Sequence, residues 1–337
     1  MASSALSNWG EIIRTQNLSA DKEMDTVSRW LLITRASVFP MTILSGLIGG
    51  LLAARAPGAD ALLFGLALFG LVAAHAANNM INDYFDLEGG VDSDDYVRVQ
   101  YAPHPVLSGL ISKKGLLLAI ALVNLLDLVI LLVLADARGP TLAVFALLGL
   151  FVSVFYVAPP IKLKHHGLGE PGVFVVWGPL MIGGTYYATA GTVAPWVLLA
   201  SIPYALLVTC VLMGKHVDKI EADTAKGIHT LPVILGRDRA LALTRGLIVA
   251  FFPLVALLVA TGMVGVWALI AFAAVPRVRK ILGALRQPKP AAPPKGYPLW
   301  PLWYVSLAFV ATRSAGGWFV IGLLIDALFP LHLPVRF

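Results

Sequence analysis

The residues best suited to chemistry stand together between Asn78 and Asp95, in NNMINDYFDLEGGVDSDD at the end of an apolar run. Asp83, Asp86, Asp92, Asp94, Asp95 and Glu88 crowd into this stretch of a chain that has only 19 acidic residues. Carboxylates this close repel one another unless a cation holds them. If the preceding helix continues, Asn79, Asn82, Asp83 and Asp86 follow at i, i+3, i+4 and i+7 and share one face. All-oxygen donors with room left for phosphate suit Mg²⁺. The plain alternative is a solvated acidic loop that caps helices.

A second acidic stretch runs from Lys215 to Gly236, KHVDKIEADTAKGIHTLPVILG. Asp218 and Glu221 are spaced i, i+3, and Lys219 and Asp223 are spaced i, i+4. On its own this is a ladder of helical salt bridges, each worth about 0.2–0.5 kcal/mol. Facing the first acidic loop, it describes a site for two divalent cations and a diphosphate. Asp218 and Asp223 are five apart, about 140° around a regular helix. Either the helix ends nearby and the chain bends, or Asp218 holds a metal that Asp223 does not touch; the second is favoured here, with Asp218 lying deeper. A third stretch, YVAPPIKLKHHGLG from Tyr156, carries Lys162 and Lys164. Lysine is a point-charge partner for phosphate oxygens, although most loop lysines simply anchor a membrane face.

These residues need elements to position them, and the composition says which. The chain has 337 residues, 58% hydrophobic and 13% charged. Soluble proteins carry about 25% charged residues, so this is a multi-span membrane protein. Apolar segments fall at 31–54, 61–82, 115–135, 140–159, 171–190, 194–214, 240–261, 263–276 and 301–329. Each approaches the roughly 20 residues a spanning helix needs, except 263–276. The expected fold is all-α, nine transmembrane helices around a central cavity. Residues 1–30 are polar and lack a signal-peptide core, so they read as a cytosolic extension to a membrane domain over 31–337. One cysteine, Cys210, excludes an internal disulfide.

Nineteen of the 25 lysines and arginines fall on the side of the N-terminus and of both acidic loops, and three on the other. Positive charge marks the cytoplasmic face, so the chemistry faces the cytosol and Phe337 lies beyond the bilayer. The net charge of +6 is a membrane signature, not a nucleic-acid one. Polar residues inside the spans are functional candidates. His75, two turns before Asp83, should line the cavity. Asp127 and Arg313 have equal depth, yet Asp127 is better read as polar packing with Asn124. Tyr156, Trp177, Tyr186 and Tyr187 are candidates for a carbocation pocket.

The pattern resembles the UbiA-type intramembrane prenyltransferases, from about Arg35 to the last span. Within that superfamily it is most similar to the 1,4-dihydroxy-2-naphthoate polyprenyltransferases of menaquinone synthesis. NDYFD (82–86) with GVD (90–92) resembles the first aspartate motif, and IEAD with KGIHTLPVILG (220–236) the second. GLGEPGVFVVWGPLMIGGTYY (167–187) resembles the fifth helix, and TRASVFPMTILSGLIGG (34–50) the first. Three departures stand out. Lys219 holds the position of the second motif's usual aspartate, His104 that of an arginine, and Ala36 that of a proline.

The resemblance implies transfer of a polyprenyl group from its diphosphate to an aromatic acceptor, in a bacterial plasma membrane. Mg²⁺ would be held by Asn82, Asp83, Asp86, Asp92 and Asp223, with Asp218 or Glu221. Lys162 and Lys164 would stabilise the leaving group, and Arg35, Asn79, His104, Tyr156, Lys215 and Lys219 would contact substrate. Two other readings stay open. One is the same scaffold with another lipid acceptor or a cyclase activity. The other is a carrier of divalent cations or organic anions, though carriers place their sites near the midplane.

Overall fold

The computed structural model describes residues 2–92, 100–192 and 194–334. Asp94 and Asp95 of the first acidic stretch, Arg98 and Phe337 lie outside these residues. The described chain is helical, with one isolated bridge, His166 to His229. Two short helices, α1 (Ala2–Thr15) and α2 (Thr26–Ile33), precede a 3₁₀ turn at Ala36–Val38 and then α3 (Phe39–Ala53). Next come α4 (Ala61–Glu88), α5 (Lys113–Arg138) and α6 (Thr141–Phe155). Helix α7 (Gly169–Val175) passes through a π turn at Val176–Leu180 into α8 (Met181–Ala190). Helix α9 (Pro195–Val217), short α10 (Ile220–Ala225) and α11 (Leu231–Leu235), and α12 (Arg237–Ala260) follow. A 3₁₀ stretch at Val266–Ala274 leads into α13 (Val275–Ala284), and α14 (Tyr304–Leu328) comes last.

Among the described residues, six helical segments are long and apolar enough to cross a membrane: 36–53 and α4, α5, α9, α12 and α14. The other three apolar runs are also helical, but shorter or interrupted. Helix α6 has 15 residues. Pro179, which has no N–H to donate, stands within the π turn that separates α7 from α8. Residues 266–274 wind as 3₁₀ before the α-helix resumes at 275.

Local chemistry sets several boundaries. The Asp60 carboxylate accepts N–H bonds from Leu62 and Leu63 to start α4, and the Ser112 hydroxyl accepts from Gly115 to start α5. Leu118, Leu122, Leu125, Val129 and Leu132 of α5 are exposed, as a lipid-facing surface requires. The main core lies among α3, α8, α9, α12 and α14, where Tyr204, Phe251 and Phe319 are fully buried.

One close approach matters for the site. A Cβ on Gly214 would lie 2.8 Å from the Tyr304 carbonyl oxygen and the Val305 nitrogen. Only glycine lets α9 press on the backbone that opens α14. The next turn of α9 therefore meets the N-terminus of α14.

Candidate active site

The face expected on α4 forms as its spacing dictates. Asn79, Asn82, Asp83 and Asp86 are all buried. Asn79 Nδ2 donates to the Thr34 carbonyl at 2.9 Å. Asp83 receives the Arg35 guanidinium, with Nε 3.2 Å from Oδ2. Arg35 stands at φ 55°, an uncommon region for a residue with a side chain. Asp86 receives both contacts of the buried Lys164 ammonium, at 2.8 and 2.7 Å. Beyond α4, Gly90 at φ 67° turns the chain back, so the Val91 and Asp92 N–H groups bond the Asp86 carbonyl and Asp92 is buried beside the helix end.

The two acidic loops meet. Lys226 Nζ donates to the Gly90 carbonyl at 3.0 Å, and Val91 and Ile228 share a small apolar cluster. The lysine loop joins them, because His229 N–H bonds the His165 carbonyl. Lys164 is delivered by a tight turn whose N–H reaches the Tyr156 carbonyl. Lys162 opens that turn at φ 46° and is half-buried, outside the chamber lining.

The second loop differs from its expected geometry. Helix α9 ends at Val217 and α10 starts at Ile220, so the helical arithmetic across 218–223 does not apply. The Asp218 carboxylate accepts N–H bonds from Trp303, Tyr304 and Val305 at 2.9–3.0 Å, capping α14 rather than reaching the chamber. Burial raises its pKa to about 6, partly opposed by those three bonds. Glu221 is exposed and pairs with Arg237 at 2.5 Å. Lys219 turns inward instead, 95% buried, with Nζ 3.4 Å from Asp223 Oδ1. Burial pushes its pKa down, and Asp223 works against that.

These groups enclose a small polar chamber lined by Arg35, Asn82, Asp86, Asp92, Lys164 and Lys219, among others. It adjoins an apolar cavity of about 600 Å³, and Arg35, Asn82, Tyr101, Tyr156 and Lys215 border both. His75 and Trp177 line the apolar part, their rings 5.1 Å apart, while Tyr186 and Tyr187 do not line it. Asp127 and Asn124 also line the cavity, but Arg313 bonds the Ser37 carbonyl and Asn124 the Ile120 carbonyl, so neither pairs with Asp127.

His104 takes a distinct part. Its Nδ1 accepts from the Val106 and Leu107 N–H groups at 3.3 Å, so Nε2 carries the proton. Nε2 lies 3.4 Å from Asp92 and 3.9 Å from Asp83. Asp83, Asp92 and His104 have the spacing of a metal site; Asp83 also pairs with Arg35, as Asp86 does with Lys164. Asn82, Asp86 and Asp92 line the chamber and offer oxygens of the kind that suits Mg²⁺. The Asn82 Oδ1 atom is buried without a hydrogen-bond partner, as an oxygen awaiting a cation would be.

Several residues at the site carried no readable signal. Glu170 and His216 form a buried pair at 2.6 Å, and His216 lines the chamber. The segment after α1 is tied to residues around the cavity, and Gln16 lines it. Gln16 Nε2 bonds the Leu32 carbonyl, the Ser37 hydroxyl bonds Gln16 Oε1, and Asn17 Nδ2 bonds the Tyr101 carbonyl at 2.6 Å.

Residues 42–295 match the UbiA prenyltransferase family model. The chain is 26% identical over 259 residues to the 1,4-dihydroxy-2-naphthoate octaprenyltransferase of Bacillus subtilis, covering 77% of this chain and 82% of that protein. It is 30% identical over 216 residues to UbiA prenyltransferase domain-containing protein 1 of Ailuropoda melanoleuca, covering 61% of each. Among solved structures it resembles the apo UbiA homolog of Aeropyrum pernix, with TM-score 0.65 and 18% identity over 86% of this chain and 98% of that one. It also resembles the Archaeoglobus fulgidus homolog bound to GPP and Mg²⁺, with TM-score 0.60 and 16% identity over 88% and 99%.

Proposed function

Because the chain belongs to the UbiA prenyltransferase family, we propose that it transfers a polyprenyl group from a polyprenyl diphosphate to 1,4-dihydroxy-2-naphthoate. The observation that carries this reading is a cation-rich polar chamber opening directly onto an apolar cavity of about 600 Å³. One end suits a diphosphate and the other a hydrocarbon tail, with the reactive carbon at the border. The relatives named as octaprenyltransferases support this acceptor.

The residues divide the work. Lys164 and Lys219 take up charge on the leaving diphosphate, and Arg35 and Lys215 flank it at the border. Lys162 shapes the turn that delivers Lys164. Asn79 and His104 hold the walls, the first by fixing α4 against Thr34 and the second from its place 3.4 Å from Asp92. Tyr156 and Trp177 offer ring faces to the allylic cation, at about 0.5–2 kcal/mol each. Asn82, Asp86 and Asp92 would hold Mg²⁺, whose Lewis acidity helps neutralise the leaving group when bound. The apolar wall keeps water from the cation until the ring attacks.

The same reading gives nine spans over 31–337, with the three shorter segments crossing as well, and residues 1–30 on the cytosolic side. The chamber then faces the cytosol of a bacterial plasma membrane. Reconstitution in vesicles with a polyprenyl diphosphate, the naphthoate and Mg²⁺ tests the activity. A prenylated naphthalene-diol is expected by mass spectrometry, the ring regaining aromaticity by losing the acceptor's carboxyl group as CO2, or a prenylated dihydroxynaphthoate if a ring proton is lost instead, with diphosphate released in either case. Transfer only to a different acceptor would replace the naphthoate, and absence of any diphosphate release would overturn the class.

A further inference from the structure

Arg35 reaches the site from an unusual turn. Helix α2 stops at Ile33, the chain passes Arg35 at φ 55°, and the 3₁₀ turn at Ala36–Val38 leads into α3. A residue with a side chain keeps that left-handed conformation only when its surroundings hold it there. The Asp83 carboxylate holds the guanidinium end. The backbone end is held by Gln16. Its Nε2 donates to the Leu32 carbonyl at 3.0 Å, and its Oε1 accepts from the Ser37 hydroxyl at 2.5 Å. One carboxamide thus bridges the two sides of the turn, and Arg313 adds a bond to the Ser37 carbonyl from α14.

The Gln16 amide can lie only one way. A carbonyl only accepts, so the NH2 group faces Leu32 and Oε1 is left for the Ser37 hydroxyl. Gln16 is 7% exposed and lines the cavity beside Arg35, Ser37 and Tyr101. It is fixed from behind as well. Trp9 Nε1 donates to Asp25 Oδ1, Asn8 Nδ2 to the Glu23 carbonyl and Asn17 Nδ2 to the Tyr101 carbonyl, and Ile12 is fully buried. These ties clamp α1 to the start of α2 and to the cavity wall. Gln16 and Arg35 both precede residue 42, where the family match begins.

We propose that Gln16 is a positioning residue for diphosphate binding: by bridging Leu32 and Ser37 it fixes the Arg35 turn, and with it the direction from which the guanidinium meets the substrate at the border of chamber and cavity. The N-terminal segment is then a working part of the site that acts through Arg35. The proposal rests on the diphosphate reading above. Asp83 takes the Nε and Nη2 side of the guanidinium, which leaves Nη1 for a phosphate oxygen. A planar guanidinium presents its N–H groups in fixed directions, so a turn that swings it loses affinity, whereas an ammonium on a flexible stem is far less sensitive to direction.

A double-mutant cycle tests this, read by calorimetry of inorganic diphosphate with Mg²⁺ on the full chain in detergent. Gln16→Met, which fills similar space without the amide, should weaken binding by about tenfold in the wild-type background. In an Arg35→Lys background, which keeps a cation on Asp83, the same change should cost about twofold or less. Gln16→Asn keeps the amide but is one carbon too short to bridge both partners, and should also weaken binding. Elution as a single species of unchanged size shows that each variant is folded. A full loss that persists in the Arg35→Lys background would mean that Gln16 does not act through Arg35. Wild-type affinity in a folded Gln16→Met or Gln16→Asn would mean that the bridge positions nothing. Either result overturns the proposal and leaves the transferase reading intact, whereas no diphosphate binding by the wild type would overturn both.

Discussion

At the scale of single residues, what decides a role is where the side chain's bonds go. Asp218 stood with the metal ligands on sequence spacing, but its oxygens serve the first turn of α14. Asp218→Asn should therefore cost about 1 kcal/mol of stability, the worth of a cap, and leave Mn²⁺ uptake unchanged; a folded variant that loses metal would return Asp218 to the site. Its pH dependence has a definite sign. The folded-state pKa of about 6 lies above the ordinary 3.8, so the folded chain holds this proton more tightly. The stabilisation is full below about 4 and is lost as pH rises through about 6. Thermal midpoints of wild type and Asp218→Asn should thus diverge in favour of the wild type as pH falls across that window. Asp86→Asn should lower transfer at least about a hundredfold, measured as product per minute at saturating donor, while the protein still inserts. Near-normal turnover would remove Asp86 from the machinery. The Asn79–Asp86 face was legible because helical spacing alone fixes which side chains share a face. The inward turn of Lys219 was not, since it depends on α9 stopping at Val217, and that stop depends on a helix 85 residues away in sequence.

At the scale of elements, Gly214 is where two helices touch backbone to side-chain position. A larger residue meets main chain there, which cannot swing aside. Gly214→Val should push α9 from α14, cost about 1–3 kcal/mol as overpacking does, and misplace Lys219 one turn on. The expected readout is a lower melting temperature together with weaker diphosphate binding. Unchanged affinity in a folded Gly214→Val would show that the helix contact does not position Lys219. The apolar runs were legible as helices from hydropathy. Their interruptions were less so: Pro179 is visible in sequence, but whether a proline kinks, ends or bulges a helix depends on what receives the freed carbonyls. The π turn also makes a contact outside its own helix, the Trp177 carbonyl accepting the Ser45 hydroxyl across the helix interface.

At the scale of the whole molecule, charge asymmetry predicts orientation. Nineteen of 25 basic residues on one face should place the loops around Lys113 and around Lys226 in the cytosol. Single cysteines introduced in those loops, in a Cys210→Ala background, should react with a membrane-impermeant maleimide in inverted vesicles and not in intact cells. Labelling of both loops from outside would reverse the assignment. The N-terminal segment was read as a polar extension because its contacts are made to residues far along the chain. Asn17 finds its partner at Tyr101, 84 residues further on. Synthesis delivers residue 17 long before residue 101, with α3 and α4 between them. The Asn17–Tyr101 tie therefore has to form late, after those two helices have been made, and the order of birth along the chain is the reverse of the order in which this corner of the cavity wall is completed.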